Sequence, residues 1–307
     1  MNVAIIGAGV SGLYLGLKLS QKGHKVTIFE KNSQIGRKTC SGLFSYRIFD
    51  YVPEARDLIE HEINSIIVRF PKKAIRVFFS KKFVIINHSK LDILLADLAR
   101  AAGAEILLNR EITELPQGFD RIIGSDGADS FVRNHLRMKA PAFRLGIQGF
   151  CHEKGEGLIQ AIPCENGFIW RIPRKDNVEY GIIANANQAH TIFATFIKKN
   201  DIRIKDVRAK IIPQGFCIPK KKRITLCGDA AGLTKPWSGG GVIWGLKAAD
   251  ILLKKFPDFK KYRREAELFF KPKIIISKLA IKLAMFLADK APWLLPAEVN
   301  IESDYLF

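Results

Sequence analysis

The chain begins with a glycine-rich segment that directly follows an apolar strand. Val3–Ile6 is a run of branched apolar residues, typical of a buried parallel strand, and Gly7–Gly12 follows with Gly-x-Gly-x-x-Gly spacing. Leucines at alternate positions from 13 to 19 predict a helix that ends near Gly23, and His24–Phe29 predicts a second strand that leads to Glu30. A glycine motif between a strand and a helix, with an acidic residue about 20 positions on, predicts a dinucleotide site.

Each part of this motif has a physical role. Gly7 permits the tight turn, Gly9 lets the backbone approach a pyrophosphate, and Gly12 allows close packing of helix and strand. The helix N-terminus, at Val10 and Ser11, offers N–H groups and a positive dipole end to phosphates. Glu30 can accept hydrogen bonds from ribose hydroxyls, and it would repel a 2′-phosphate. The alternative is an ordinary tight turn with no ligand.

The length and the charge of the chain limit the partners that it is expected to bind. The chain has 307 residues, which suffices for one large or two modest cores. It carries 49 Lys and Arg against 30 acidic residues, a formal charge of +19. That charge attracts anions, but no nucleic-acid motif is present and the basic residues are scattered, so we expect no nucleic-acid partner. Contact with an anionic membrane and a charge-rich thermophile-like surface both remain open.

The cysteines and the apolar segments indicate the compartment. The five cysteines form no Cys-x-x-Cys pair and no metal-ligand cluster, so we expect no metal site and a reducing cytoplasm. No apolar run reaches the about 18 residues of a transmembrane span. Residues 274–288 are almost wholly apolar except for Lys278 and Lys282. This helix is either peripheral at a membrane interface or buried with two snorkelling lysines.

Alternating strands and helices predict an α/β fold, in which a sheet-rich domain is inserted into a doubly wound Rossmann-like domain. We assign 1–62, 88–142 and 216–256 to the nucleotide domain, 63–87 and 143–215 to an antiparallel substrate domain, and 257–307 to a C-terminal helical segment that ends irregularly. Tyr51–His61 is predicted to be a short helix, and Ala128–Leu136 is predicted to start another.

Two further Gly/Asp turns follow short apolar strands, at Gly124–Gly127 and Gly228–Gly232. Because parallel strands present their carboxyl ends at one sheet edge, all three turns are predicted to converge on one extended ligand. Asp126 and Asp229 suit sugar or ribityl hydroxyls, and the glycines at 239–241, after Pro236, allow a ring system to lie against the backbone. Ordinary surface-turn chemistry is the alternative for any single turn.

Two other segments contain candidate functional residues. On a strand, Phe168, Trp170 and Ile172 share a face while Arg171 points away, and Pro173 ends the pairing. They form either an apolar wall beside a ligand or ordinary sheet core. Cys40 lies on a Gly/Ser loop after Arg37 and Lys38, where nearby cations favour a thiolate.

These motifs resemble those of a known family. Gly7–Glu30, Ser125–Arg133 and Gly228–Gly232 look like the three FAD fingerprints of the flavoprotein hydroxylase superfamily. Gly228–Val242 and Phe168–Pro173 narrow the resemblance to the geranylgeranyl reductases. Residues 38–42 resemble the Cys-Gly loop of that family, with Ser41 where Gly is frequent, and residues 89–92 resemble a segment with Lys90 where Arg is common. The resemblance covers roughly residues 1–255.

The resemblance implies FAD as cofactor and a set of residues around it. The cofactor-binding residues are Gly7, Gly9, Val10, Ser11, Gly12, Glu30, Lys31, Arg37, Lys38, Gly42, Lys90, Asp126, Gly127, Gly228, Asp229, Pro236, Gly239, Gly240, Gly241 and Val242. Cys40 is expected near the flavin, where it either helps to protonate an alkene carbon or lines the pocket. Phe168, Trp170 and Pro173 are expected to contact the substrate.

The implied activity is reduction of isoprenoid (geranylgeranyl) C=C bonds in archaeal-type membrane lipid precursors, by hydride transfer from reduced flavin. The implied partners are the lipid substrate and an external electron donor, either ferredoxin or NAD(P)H. Two alternatives remain: an FAD-dependent monooxygenase, which shares the three turns, and a non-catalytic flavin- or lipid-binding protein.

Overall fold

The structure is a computed structural model that describes residues 1–36, 41–155, 157–174 and 176–305. The chain divides into two units. Unit 1 comprises Met1–His61, Val84–Ala142 and Pro213–Ile274, and unit 2 comprises Glu62–Phe83, Phe143–Ile212 and Ile275–Phe307. The residues expected to form a C-terminal segment are thus divided between the two units.

The elements follow one another along the chain. In order they are β1 (Asn2–Ile6), α1 (Val10–Gln21), β2 (Lys25–Phe29), β3 (Leu43–Ser45), α2 (Ile48–Tyr51), β4 (Ile59–Arg69), β5 (Ala74–Ile86), α3 (His88–Ala101), β6 (Glu105–Leu107), β7 (Arg121–Gly124), α4 (Phe131–His135), β8 (Ala142–Cys151), β9 (Ile159–Cys164), β10 (Gly167–Pro173), β11 (Val178–Ala184), α5 (Ala189–Lys199), β12 (Ile204–Gln214), β13 (Ile224–Leu226), α6 (Val242–Lys255), α7 (Phe259–Lys290) and β14 (Glu298–Ile301). Short 3-10 turns occupy Pro53–Leu58, Gly228–Ala231 and Pro292–Leu294.

Unit 1 is built around a parallel sheet in the order β13-β7-β1-β2-β6. Val3, Ala4 and Ile5 on β1 are fully buried, as their unbroken apolar run predicts for a central parallel strand. Helix α1 packs against both α3 and α6. Gly16 on α1 approaches Ile28 of β2 so closely that a Cβ there would lie 2.5 Å from the Ile28 side chain. The Rossmann-like prediction is confirmed.

Unit 2 contains a curled sheet in the order β12-β8-β11-β10-β9-β4-β5-β14. Its central pairs are antiparallel, whereas β4 with β9 and β5 with β14 are parallel. One face packs against α5, where Ile147, Ile169, Tyr180, Ile182 and Phe193 form a buried cluster. The inserted, mainly antiparallel sheet is therefore also confirmed.

Three local predictions differ from the structure. The single helix over Tyr51–His61 was wrong: the segment holds the end of α2, the 3-10 turn begun by Pro53, and the start of β4. Proline at the start of that turn fits helical geometry but interrupts a longer helix. The helix expected from Ala128 begins only at Phe131, because Ser130 caps it by accepting the Arg133 amide. Strand β14 lies in the stretch expected to be irregular. None of the described helices is long and apolar enough to cross a membrane.

Candidate functional site

The sheet order of unit 1 brings four strand ends side by side. The carboxyl ends of β13, β7, β1 and β2 lead into the Gly228 turn, the Ser125–Gly127 turn, the Gly7–Gly12 loop and Glu30, respectively. These strands are consecutive neighbours in the parallel sheet. The three turns therefore lie at one edge, as the sequence predicts, at the position where doubly wound folds bind ligands.

The first and second turns touch through Gly7. Its φ is +99°, and a Cβ there would lie only 2.5 Å from the Ser125 carbonyl oxygen. Ser125 N donates to Ile6 O at 2.7 Å. A Cβ at Gly12 would lie 2.1 Å from Gly7 O. Both glycines are thus required by the close approach of backbone segments, and Gly9 is the N-cap of α1.

The third turn meets the first through Ser11. A Cβ at Gly228, whose φ is +64°, would lie 2.6 Å from Ser11 Oγ, and one at Gly245 on α6 would lie 2.5 Å from the same oxygen. Ser11 therefore lies between the third turn and α6. Neighbouring Val10 is buried. The N-terminal end of α1, the third turn and α6 form one tightly packed cluster.

Glu30 reaches back from the end of β2 onto the glycine loop. Its Oε2 accepts a hydrogen bond from Ala8 N at 2.8 Å, and its Oε1 accepts from Asn32 N at 3.0 Å and Asn32 Nδ2 at 2.6 Å. These bonds fix the carboxylate beside the loop that would hold a pyrophosphate. The remaining lone pair on Oε2 is available to a ribose hydroxyl. Lys31 follows it as an exposed residue.

Asp126 and Ser125 supply polar atoms at the second turn. Asp126 Oδ2 accepts from Val132 N at 3.1 Å. Among the described residues, Asp126 Oδ1 and Ser125 Oγ are buried without a hydrogen-bond partner. Burial raises the pKa of Asp126, while hydrogen bonds from Ser130 and Val132 oppose that rise. Gly127 has a φ of +85°, and no atom lies within 4 Å of the position that a Cβ would occupy. Buried polar atoms of this kind favour a polar ligand.

Arg133 joins the second and third turns. Its side chain is 1% exposed. Nη2 donates to Ala128 O at 2.6 Å and Nη1 donates to Ala230 O at 3.1 Å. The guanidinium thus fixes the separation of two turns that are far apart in sequence. The motif contains Arg133, but its spacing gave no sign of this role.

The triple glycine precedes α6 and folds over Lys235. Lys235 N donates to Gly240 O at 3.1 Å, and Gly239 N donates to Lys235 O at 2.8 Å. Lys235 is 5% exposed, and its Nζ lies 5.8 Å from the centroid of the Trp237 ring. A Cβ at Gly241 would lie 2.6 Å from Asp229 Oδ1. Sequence reasoning missed the buried lysine.

This arrangement can stabilise negative charge. The N-terminus of α6 begins at Val242, directly after three glycines that expose backbone. A helix N-terminus carries a partial positive charge, and the buried lysine lies beside it. Pro236 is also buried in this loop. The predicted residues of the third region, from Gly228 to Val242, are therefore contiguous in space as well as in sequence.

The remaining unit-1 predictions have different outcomes. Lys90 is exposed in the first turn of α3, where Asn87 Oδ1 accepts its backbone N–H. Neighbouring Ser89 donates its hydroxyl to Gly36 O, which ties the loop after β2 to α3. Gly42, at φ +65°, pairs with Ile86, and a Cβ there would lie 2.2 Å from Ile86 O. This close backbone packing accounts for a glycine at position 42 whether or not a ligand binds. Arg37, Lys38 and Cys40 lie outside the described residues.

The aromatic segment in unit 2 forms part of β10. The ring centroids of Phe168 and Trp170 lie 6.1 Å apart, so these side chains share a face as predicted. Arg171 points to the other face, where its Nε donates to Tyr180 Oη at 3.2 Å. Strand β10 ends at Pro173. A Cβ at Gly181, opposite Trp170, would lie 2.2 Å from the indole ring.

The aromatic face also contains a buried carboxylate that the sequence pattern did not predict. Glu179 is fully buried. Its Oε1 accepts from Trp170 Nε1 at 2.9 Å, and its Oε2 accepts from Arg174 Nη2. The wall expected to be apolar therefore has a charged group that fixes the orientation of the indole.

Comparison with known proteins agrees with this geometry. Residues 5–55 match the model of the NAD(P)-binding Rossmann-like domain family. Digeranylgeranylglycerophospholipid reductase from Methanococcus vannielii is 24% identical, over 86% of this chain and 79% of the relative. Kynurenine 3-monooxygenase from Christiangramia forsetii is 28% identical, over 83% of this chain and 72% of the relative.

Solved structures extend the comparison. A geranylgeranyl bacteriochlorophyll reductase-like protein from Thermoplasma acidophilum has a TM-score of 0.81 and 18% identity, covering 94% of this chain and 89% of the other. Over most of its length this chain is similar to geranylgeranyl reductases in sequence and in fold. A halogenase solved in complex with FAD has the same fold, with a TM-score of 0.68 and 15% identity, covering 89% of this chain and 73% of the other.

The residues at the sheet edge fit FAD, the cofactor held by that halogenase. The glycine cradles leave no room for a Cβ at Gly7 and Gly228, and Asp126 Oδ1 is a buried acceptor without a partner in the described chain. Glu30 and the α1 N-terminus would supply polar contacts to a dinucleotide. The chain is therefore a flavoprotein oxidoreductase.

Proposed function

We propose that this chain is an FAD-dependent reductase that saturates C=C bonds of a geranylgeranyl lipid. The observation that carries the proposal is the convergence of three flavin-type turns in a chain related along most of its length to digeranylgeranylglycerophospholipid reductases. The compound named for those relatives is a phospholipid with two geranylgeranyl chains.

In this proposal FAD lies along the carboxyl edge of the unit-1 sheet. The α1 N-terminus and Gly9 bind the pyrophosphate, and Glu30 binds the adenosine ribose. Asp126 Oδ1 and Asp229 accept hydrogen bonds from hydroxyls of the cofactor. The α6 N-terminus and Lys235 stabilise negative charge on the reduced ring. When bound and reduced, the flavin supplies a hydride to one alkene carbon.

The chain's own contribution is to bind the alkene, exclude water and deliver a proton. The Phe168 and Trp170 rings suit an apolar isoprenoid, and Pro173 extends that face. Glu179 holds the indole, so the wall keeps one shape. An isolated alkene is a poor hydride acceptor, so a dry pocket and a nearby proton donor are needed. Cys40 is proposed either as that donor or as a lining residue.

The proposal also includes two partners. Reducing equivalents come from an external donor, either ferredoxin or NAD(P)H. The lipid substrate brings the protein to a membrane surface, and its phosphate head group suits a chain with a formal charge of +19.

The test uses the full chain loaded with FAD and reduced by dithionite without oxygen. Mixing with a digeranylgeranyl phospholipid should reoxidise the flavin and add two hydrogens to the lipid for each bond reduced, measured by absorbance and mass spectrometry. The saturated diphytanyl lipid is the matched control and should do neither. If the unsaturated lipid also leaves the flavin reduced and its own mass unchanged, the proposal is wrong.

A flavin monooxygenase is the second candidate, and the kynurenine 3-monooxygenase relative favours it. It predicts NAD(P)H oxidation and oxygen uptake that kynurenine or a lipid stimulates, with one oxygen atom added to that compound. The reductase proposal instead predicts substrate reduction in the absence of oxygen. Mass spectrometry of the product separates the two.

A further inference from the structure

The second half of α7 exposes apolar side chains instead of burying them. Ile275, Leu279, Leu283 and Phe286 are 58%, 61%, 59% and 60% exposed. Their spacing of four, four and three residues puts them on one stripe of the helix. We name these four residues the α7 stripe. A surface helix of a soluble protein normally turns such a stripe inward.

The other side of this helix is already packed. Ser277 and Ala288, which face away from the stripe by their spacing, are 0% and 3% exposed. Ala288 joins a buried cluster with Ile75 and Val77 of β5. The orientation of the helix is therefore fixed by its own core contacts, and those contacts leave the α7 stripe facing outward.

The apolar surface continues past the helix end. The 3-10 turn there exposes Trp293 by 74% and Leu294 by 64%. The turn between β4 and β5 is tied to the same end, because Lys72 Nζ donates to Asp289 O at 2.9 Å and Lys73 Nζ donates to Leu295 O. Exposed large apolar side chains grouped along one helix and the turn after it mark an interaction site.

The charges along the stripe are mostly positive. Residues 275–297 contain three lysines, at 278, 282 and 290, and a single acidic residue, Asp289. Lys278 and Lys282 are exposed along one side of the stripe. Asp289 lies 3.1 Å from Lys290, which offsets its charge. The stripe is thus bordered by positive charge.

We propose that the α7 stripe, with Trp293 and Leu294, is a docking surface for an anionic lipid bilayer. Apolar side chains bordered by lysines are the pattern of a helix that lies in the plane of a membrane interface, and tryptophan is enriched at that depth. A second copy of this chain would bring another +19 charge and the same lysines, which opposes self-association. Charge complementarity therefore selects the bilayer.

The first experiment measures flotation of the full chain with vesicles under oxidising conditions. Vesicles of phosphatidylcholine with about one third phosphatidylglycerol should carry the protein, and pure phosphatidylcholine vesicles should carry much less. Added salt should weaken binding, because it screens the lysines. Neither lipid contains an isoprenoid chain and no reductant is present, so failure of the proposed reductase function would not alter this result.

Matched variants test the surface itself. Leu279→Glu with Leu283→Glu should abolish flotation, whereas Val207→Glu should not, because Val207 is 56% exposed on β12 at the opposite edge of the unit-2 sheet. Lys278→Glu with Lys282→Glu should lower partitioning at least about 30-fold, since each lysine near an anionic surface contributes roughly fivefold. Lys205→Glu with Arg208→Glu, both exposed on β12, is the charge control. Urea unfolding midpoints verify that every variant is folded.

Trp293 reports the depth of insertion. Brominated lipids should quench its fluorescence, and Trp293→Phe should remove that quenching while the other three tryptophans remain. Three results would overturn the proposal: no flotation of the wild-type chain with anionic vesicles, equal flotation of the Leu279 and Leu283 double variant, or a solution dimer that this variant converts to a monomer.

Discussion

Replacing Arg133 with methionine tests whether the second and third turns form one site. The guanidinium is 1% exposed and donates to Ala128 O and Ala230 O at 2.6 and 3.1 Å. Arg133→Met keeps most of the volume but removes both donors. The two carbonyls belong to residues that are 6% and 0% exposed, so water cannot readily replace the guanidinium.

The magnitude follows from these contacts. Each buried carbonyl left without its donor costs about 1–3 kcal/mol. Part of that loss is offset, because the methionine variant does not have to remove a charged guanidinium from water on folding. We expect a net loss of about 3 kcal/mol in the free energy of unfolding. The turns also lose their fixed separation, so the FAD dissociation constant should rise at least about tenfold, equivalent to about 1.4 kcal/mol.

Urea unfolding of the FAD-free chain and a fluorescence titration with FAD measure the two effects separately. Arg137→Met is the control, since Arg137 lies four residues on and is exposed; it should change neither value appreciably. Wild-type stability and wild-type FAD affinity in Arg133→Met would refute the reasoning that this residue joins the two turns.

Three further changes have defined outcomes. Gly7→Ala should abolish FAD binding, because its Cβ would lie 2.5 Å from Ser125 O. It should also lower the free energy of unfolding by more than the strain of a left-handed backbone alone, which is about 1–2 kcal/mol. An FAD titration and urea unfolding measure the two effects. Glu179→Gln should cost about 3 kcal/mol, because it removes the charge between Trp170 and Arg174, and it should raise KM for the lipid as the indole loses its fixed orientation. Burial raises the pKa of the Cys227 thiol from 9.0 to about 12. The folded chain therefore keeps this proton above pH 9, where the unfolded chain loses it, so the free energy of unfolding falls by about 1.4 kcal/mol per pH unit above pH 9. Below pH 9 the contribution of the thiol is complete. Cys227→Ala should not show this fall when urea unfolding is measured between pH 8 and pH 11.

Each of these changes has its own control. Gly103→Ala has a similar φ, +94°, with nothing within 4 Å of the added Cβ, so it isolates the strain from the clash with Ser125. Glu153→Gln removes a carboxylate that is 42% exposed and bonded to Tyr180, so it should cost under about 1 kcal/mol. Parallel pH profiles for wild type and Cys227→Ala would contradict the thiol argument. Equal losses in Gly7→Ala and Gly103→Ala would contradict the clash.

The local sequence pattern was sufficient to predict the dinucleotide-binding loop. The strand, the glycine spacing and Glu30 lie within thirty residues, and each is dictated by nearby backbone geometry. The convergence of the three turns also followed from sequence, because parallel strands present their carboxyl ends together whatever their separation along the chain. The flavin roles of the individual residues, including Cys40, stay predictions.

Long-range pairing was not predictable from one sequence. Arg133 bonds to a carbonyl 97 residues away, and no local periodicity encodes that partner. Glu179 lies within an apolar strand, where its carboxylate is buried only because Trp170 and Arg174 meet it from β10 and the turn that follows. Strand β14 forms because β5 offers it an edge. Its four residues carry too short a pattern to indicate a strand.

The most direct test of the account is a titration of the cofactor-free chain with FAD and, separately, with FMN. The Glu30 carboxylate lies beside the glycine loop, 2.8 Å from Ala8 N, and both would hold the adenosine monophosphate half of FAD, which FMN lacks. We predict saturable binding of one FAD per chain and much weaker binding of FMN. Absence of FAD binding, or equal affinity for the two flavins, would contradict a site formed by the three turns at this sheet edge.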